Sequence, residues 1–125
     1  MKTILTDQAP APAGHYAQAA IGGGLIAISG QLPVTAARTP PADMSFEGQA
    51  RQAIGNMLEV LAAAGAGPER LLRVTAYIVG VENWPRFNAV YAEMLGDATP
   101  ARTVVPVPEL HYGYLVEVDA LAIEA

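Results

Sequence analysis

Two segments of this chain are apolar on both faces of a predicted strand, and this pattern constrains the fold more than any other feature. Residues 25–28 read Leu-Ile-Ala-Ile, and residues 115–123 carry apolar side chains at both odd and even positions. Because alternate residues of a strand point to opposite faces of a sheet, both faces of such strands must be covered. Two helices can cover one face of a small sheet, so we expect a second copy of the chain to cover the other.

Helical periodicity is present in two other segments. In the first, apolar residues recur at helical spacing, Asp43 or Ser45 can serve as the N-cap, and Gly65 is a plausible stop. A second helix is predicted to start near Asn83 and to end at Gly96. The apolar faces consist of Phe46, Ala50, Ile54, Met57, Leu58 and Leu61 in the first helix, and Phe87, Val90, Tyr91 and Met94 in the second.

The remaining strands are predicted on both sides of these helices. Residues 15–21 and 25–29 form a hairpin through the three glycines at 22–24. A strand over 73–79 separates the helices, and strands over 101–107 and 114–123 follow the second helix as a final hairpin. The order β-β-α-β-α-β-β places the chain in the α+β class. We expect one domain over residues 1–125.

Composition excludes several classes of function. The net charge is −5, the only lysine is Lys2, and the six arginines are dispersed, so nucleic acid is a poor candidate partner. The chain has no cysteine, which excludes disulfides and thiol chemistry, and two histidines without matching carboxylates do not predict a metal site. Neither a signal peptide nor a membrane span is recognisable, so we expect no membrane association and a cytoplasmic location.

Three charged residues near the C-terminus are candidates for chemistry. Arg102 opens an apolar strand, and Glu117 and Asp119 share one face of the last strand. If residues 102 and 119 pair across the final hairpin, all three side chains project from one side. From spacing alone an Arg102–Asp119 ion pair is favoured. The functional interpretation adds Glu117 as an acceptor that orients or deprotonates water.

Short motifs along the chain resemble those of one known family. The last strand contains Val116-Glu117-Val118-Asp119-Ala120, similar to V-E-I-E-A, and Pro100-Ala101-Arg102 is similar to P-A-R-S. Four further segments resemble motifs of the same family: residues 14–19 resemble G-P-Y-S-Q-A, and residues 28–33 resemble S-G-Q-I/L-P. Residues 49–58 resemble a helix that has an asparagine at the position of Asn56, and residues 88–91 resemble N-x-V-Y. From about residue 8 onward, the motifs follow the order and spacing of the RidA/YjgF family, which is also labelled endoribonuclease L-PSP-like.

The resemblance implies a fold, an assembly and an activity. It implies a chorismate-mutase-like fold, with helices on one face of a mixed sheet and three subunits forming a barrel. It implies hydrolysis of enamines and imines without a cofactor, in clefts between subunits. The substrate is expected to be a small imine, carboxylated in members that act on 2-imino acids. Arg102 would hold that carboxylate, Glu117 would position water, and the pocket would be lined by Tyr16, Ser29, Gly30, Trp84 and Asn88.

Some residues depart from the family pattern and leave the substrate open. His15 and Thr103 replace a proline and a serine or cysteine, and His111 and Tyr112 add ring bulk to a loop that could border the pocket. An alternative is a non-catalytic small-molecule binder or stress-related interaction protein on the same scaffold. An endoribonuclease ranks third, because the acidic charge balance opposes RNA binding.

Overall fold

A computed structural model describes residues 1–125 as one six-stranded mixed sheet with two α-helices. Short 3-10 helices occur at Pro68–Arg70, Val81–Asn83 and His111–Gly113. The main elements are β1 (Lys2–Ile4), β2 (Ala19–Gly22), β3 (Leu25–Gln31), α1 (Phe46–Ala63), β4 (Leu71–Val79), α2 (Trp84–Leu95), β5 (Ala101–Val107) and β6 (Val116–Ile123).

The strand order is β1-β2-β3-β6-β4-β5. Only β4 and β5 are parallel, and every other pair is antiparallel. The predicted α+β class is confirmed. The predicted element order lacked β1, a three-residue strand at the edge of the sheet. The first predicted strand also began too early, since β2 starts at Ala19.

Local signals account for most element boundaries. The β2–β3 hairpin turns at Gly23 and Gly24, whose positive φ angles of 59° and 80° suit the tight turn that matches strand twist. The hydroxyl of Ser45 accepts a hydrogen bond from the Gly48 N–H at 3.1 Å, which confirms Ser45 as the N-cap of α1. Gly96 ends α2 as expected.

Both helices cover the same face of the sheet. Ile26, Val74 and Val118 point to that face and are fully buried beneath the helices. On the opposite face Leu25 and Ile123 keep 40% and 44% of their surface exposed. The doubly apolar strands therefore have one covered and one uncovered face. Neither helix combines the length and the apolar character that crossing a bilayer requires.

The predicted final hairpin is wrong. Strand β5 pairs in parallel with β4, and β6 pairs with the opposite edge of β4 and with β3. A parallel pair requires a crossover connection, which α2 provides, and this leaves the other edge of β4 free to receive β6. Arg102 consequently lies opposite Val74, whereas Glu117 lies opposite Tyr77.

Two glycines of α1 make a matched test of this packing. An added Cβ at Gly48 would collide with the backbone oxygen and side chain of Asp43, whereas one at Gly55 would meet only Met94 Cε at 3.9 Å. Gly48→Ala should lower the free energy of unfolding by about 1–3 kcal/mol. Gly55→Ala should raise it by up to about 1 kcal/mol, because alanine favours the helix.

Urea denaturation of both variants at one protein concentration measures the two changes. Equal effects of the two substitutions would contradict the described packing of the first turn of α1.

Candidate active site

One cleft of about 480 Å³ lies beside the end of β3. It brings together four of the seven predicted site residues, which are Tyr16, Ser29, Gly30 and Glu117. The other three, Trp84, Asn88 and Arg102, lie outside it. No three His, Cys, Asp or Glu side chains come together in a way that could hold a metal ion.

Glu117 is half-buried in the cleft, close to the backbone of Gly30. The register between β3 and β6 shifts between Ile28 and Gln31, so a bulge there brings Gly30 towards the carboxylate. A Cβ on Gly30 would lie 2.8 Å from Glu117 Oε2, so glycine is required for this approach. Burial raises the pKa of Glu117 above its ordinary value, although nearby His111 opposes the shift. A carboxylate with a raised pKa is a stronger proton acceptor.

The two hydroxyl groups of the cleft are oriented by backbone contacts. Ser29 Oγ donates to the carbonyl of Ala17 at 2.6 Å. Tyr16 Oη accepts from the N–H of Ala13 at 3.2 Å, and the Tyr16 side chain is 49% exposed. Tyr16 therefore keeps its own O–H available for another acceptor in the cleft.

A second cluster surrounds Arg102 on the helix side of β5. The guanidinium carbon lies 4.8 Å from the ring centroid of Tyr91 and 5.8 Å from that of Trp84, both on α2. One N–H donates to Asn88 Oδ1 at 3.0 Å. The side chain is thus held by cation–π contacts and an amide, and it has no carboxylate partner in the chain.

The expectation that Arg102, Glu117 and Asp119 project from one side is wrong. Arg102 lies on the helix-covered face, level with Val74, while Glu117 and Asp119 lie on the opposite face. The simple Arg102–Asp119 ion pair is also absent. Asp119 Oδ2 instead accepts a hydrogen bond from Tyr77 Oη at 3.2 Å. The error follows directly from the incorrect final hairpin.

Buried amide side chains hold the backbone around the cleft, and these were not identified as site residues from the sequence. Gln18 donates to the carbonyls of Thr6 and Pro10 and accepts from the Thr6 N–H. Asn56 donates to the carbonyls of Leu32 and Val34. Such buried amides act through long-range contacts, which a single sequence does not reveal. The buried polar residues of the chain are Gln18, Gln31, Gln49 and Asn56.

Three further residues border the cleft. His111 and Tyr112 line it, as their position in the connecting loop allowed. Arg38 also lines it, and its guanidinium donates to the carbonyl of Ala11 at 2.6 Å. In the sequence Arg38 is one of six dispersed arginines, and nothing in its local sequence indicates that it contacts a residue 27 positions away.

Comparison with known proteins agrees with this architecture. The family described as Endoribonuclease L-PSP matches residues 6–124. The chain belongs to the YjgF/RidA family. A relative of this YjgF/RidA protein, the RutC family protein PH0854 of Pyrococcus horikoshii, is 34% identical over 121 residues, which cover 97% of this chain and 96% of the relative.

Solved structures of the family have the same fold as this YjgF/RidA protein. The YjgF gene product of E. coli superposes with a TM-score of 0.92 at 32% identity, covering 100% of both chains. E. coli TdcF with bound serine superposes with a TM-score of 0.93 at 29% identity, again covering 100% of both chains. The resemblance found in the sequence motifs is therefore confirmed.

The raised pKa of Glu117 predicts a pH-dependent effect on stability. A carboxyl whose pKa is higher in the folded chain stabilises the fold while protonated, and this contribution is lost as pH rises through the folded value. Glu117→Gln removes the desolvated charge, so it should raise Tm at neutral pH. The gain should vanish when the pH falls below the ordinary carboxyl range, where wild-type Glu117 is also uncharged.

Thermal melts between about pH 3 and pH 8 measure this effect. Glu59→Gln, at an exposed position of α1, is the matched control and should leave Tm nearly unchanged at every pH. A Tm difference for Glu117→Gln that does not vary with pH would show that desolvation is not its cause.

Proposed function

We propose that this YjgF/RidA protein hydrolyses 2-imino acids and their enamine tautomers to 2-oxo acids and ammonia, without a cofactor. The observation that carries the proposal is that the chain presents a desolvated carboxylate, Glu117, and a guanidinium without an acidic partner, Arg102. A 2-imino acid complements both groups, because it carries a carboxylate beside an electrophilic carbon. Arg102 can grip the carboxylate through two parallel N–H donors.

Hydrolysis of an imine requires mainly that a water molecule and the substrate are correctly positioned. Glu117 accepts a proton from a water molecule as the water oxygen attacks the C=N carbon, which forms a carbinolamine. Glu117 then gives this proton to the nitrogen and accepts the hydroxyl proton of the carbinolamine, the C–N bond breaks, and ammonia leaves as the C=O bond forms. Since a protonated imine is already electrophilic, an oriented water and charge complementarity can supply much of the rate.

The two charged residues would come from different subunits. In one chain they lie on opposite faces of the sheet, so a small molecule cannot contact both. In a homotrimer whose sheets form a barrel, other copies would cover the face of Leu25 and Ile123. In the same assembly, Arg102 of a neighbouring subunit, with Trp84 and Asn88, would complete the cleft around Glu117.

One solved relative supports a carboxylated ligand. The E. coli TdcF structure holds serine, which combines an α-carboxylate with an amino group on the adjacent carbon. Oxidation of the Cα–N bond of an amino acid converts its amino group into the imine of a 2-imino acid and leaves the carboxylate unchanged. The bound serine therefore favours a substrate derived from amino acids.

Imines generated in situ by an amino-acid oxidase test the activity directly. Wild-type protein should accelerate ammonia release, and Glu117→Gln should lower kcat with little effect on ligand binding, because it keeps shape but removes the base. Arg102→Ala should lower kcat/KM for carboxylated imines by about tenfold to a hundredfold. Imines without a carboxylate should be affected much less.

If the Glu117→Gln variant hydrolysed imines at the wild-type rate, the proposed role of Glu117 in activating water would be refuted. Ligand binding by the wild-type protein without any acceleration would instead indicate a non-catalytic binder. Glu59→Gln serves again as the charge-matched control.

Mixing two impaired variants tests the shared site. Light scattering should first give a mass near three times that of the monomer. Arg102→Ala and Glu117→Gln, denatured together and refolded at equal concentrations, should then recover about one quarter of wild-type activity, because random trimers rebuild some intact sites. Mixing Arg102→Ala with the variant that carries both substitutions should restore no activity. If both residues acted within one chain, no mixture of variants would restore activity.

A further inference from the structure

We infer that Arg38 binds a second carboxylate of the ligand, so that the cleft favours dicarboxylic 2-imino acids over monocarboxylic ones. This inference rests on the proposed function for the identity of the substrate. The position of Arg38 at the cleft stands independently of it.

Arg38 is the only arginine or lysine that lines the cleft. One of its N–H groups donates to the Ala11 carbonyl, which fixes the guanidinium at the rim formed by Pro10 and Ala11. A guanidinium has five N–H donors, so about four remain for a ligand. Arg38 also has no acidic partner, since the ion pairs of the chain are Arg51–Glu93 and Arg86–Glu47.

The backbone does not explain why an arginine occupies this position. Arg38 has φ 63°, a left-handed conformation in which glycine is favoured. The turn is closed by hydrogen bonds between the backbones of Thr35 and Thr39 and of Arg38 and Thr35, none of which uses the arginine side chain. An arginine thus occupies a position whose backbone conformation favours glycine, and the one hydrogen bond of its side chain is to the rim of the cleft.

The two cations of the proposed site would have different tasks. Arg102 of a neighbouring subunit holds the carboxylate next to the imine carbon. Arg38 lies at the rim formed by residues 10 and 11 of the cleft that holds Glu117, so in this proposal it would meet the end of the ligand that points away from Arg102. A side chain ending in a carboxylate would complement Arg38 with paired N–H···O bonds, whereas an aliphatic side chain would leave its donors to water.

Binding of two stable 2-oxo acids tests the inference without requiring turnover. 2-Oxoglutarate and 2-oxohexanoate share the 2-oxo acid group and differ in ending with a carboxylate or an ethyl group. By titration calorimetry, the wild-type protein should bind 2-oxoglutarate about three- to tenfold more tightly. Arg38→Gly should abolish this preference, and Arg38→Lys, which keeps the charge without the fork, should retain part of it.

The variants separate binding from stability. Arg38→Gly should keep or raise Tm, because glycine suits the positive φ, so a lost preference cannot be attributed to misfolding. Arg70→Ala removes the same charge from an exposed position outside the cleft and should leave the preference unchanged. A wild-type protein without the preference, or an Arg38→Gly variant that keeps it, would overturn the inference.

Turnover provides the second measurement. With imines generated from glutamate and norleucine, Arg38→Gly should raise KM for the glutamate imine and leave kcat nearly unchanged. An intact, Arg38-dependent binding preference without accelerated ammonia release would refute the proposed deamination and leave the role of Arg38 in place.

Discussion

The whole architecture depends on the pairing of β6 with both β3 and β4. Within the sheet, β6 is the only strand that pairs with both halves, one formed by β1–β3 and the other by β4 and β5. Its helix-facing residues Val116 and Val118 are completely buried, so the two halves also share one core. The same register points Glu117 to the opposite face. Strand pairing thus sets the position of the carboxylate before any interaction within the cleft.

The features that sequence patterns predicted correctly are encoded locally. Ser45 caps α1, Gly96 ends α2, and β5 spans residues 101–107 as predicted, because each signal depends on neighbours within a few positions. The strand order could not be read in this way. The apolar pattern of β5 suits a hairpin with β6 and a parallel pair with β4 equally well. Strand β1 is not predictable from its sequence, because its three exposed or half-buried residues show no apolar alternation.

The candidate site shows the same division between local and non-local information. The motifs selected Tyr16, Ser29, Gly30 and Glu117, which line one cleft. They could not indicate which face of the sheet Arg102 occupies, because that depends on its partner strand. The position of Arg38 at the cleft was equally hidden, because it depends on a contact with the Ala11 carbonyl, 27 residues away in the chain. Residue identity was therefore more predictable than the side of the sheet on which each residue acts.

The buried amides around the cleft have an evolutionary consequence. Gln18 holds the start of the rim by donating to the backbone carbonyls of Thr6, Ala9 and Pro10, and none of these bonds uses a side chain of the rim. The side chain of Pro10 lines the cleft without taking part in these bonds, so a substitution there can alter what the cleft admits while Gln18 still holds the backbone. A lineage that keeps Gln18 and Asn56 can explore new ligands through a few surface substitutions. Selection can then act on specificity and on folding at separate positions.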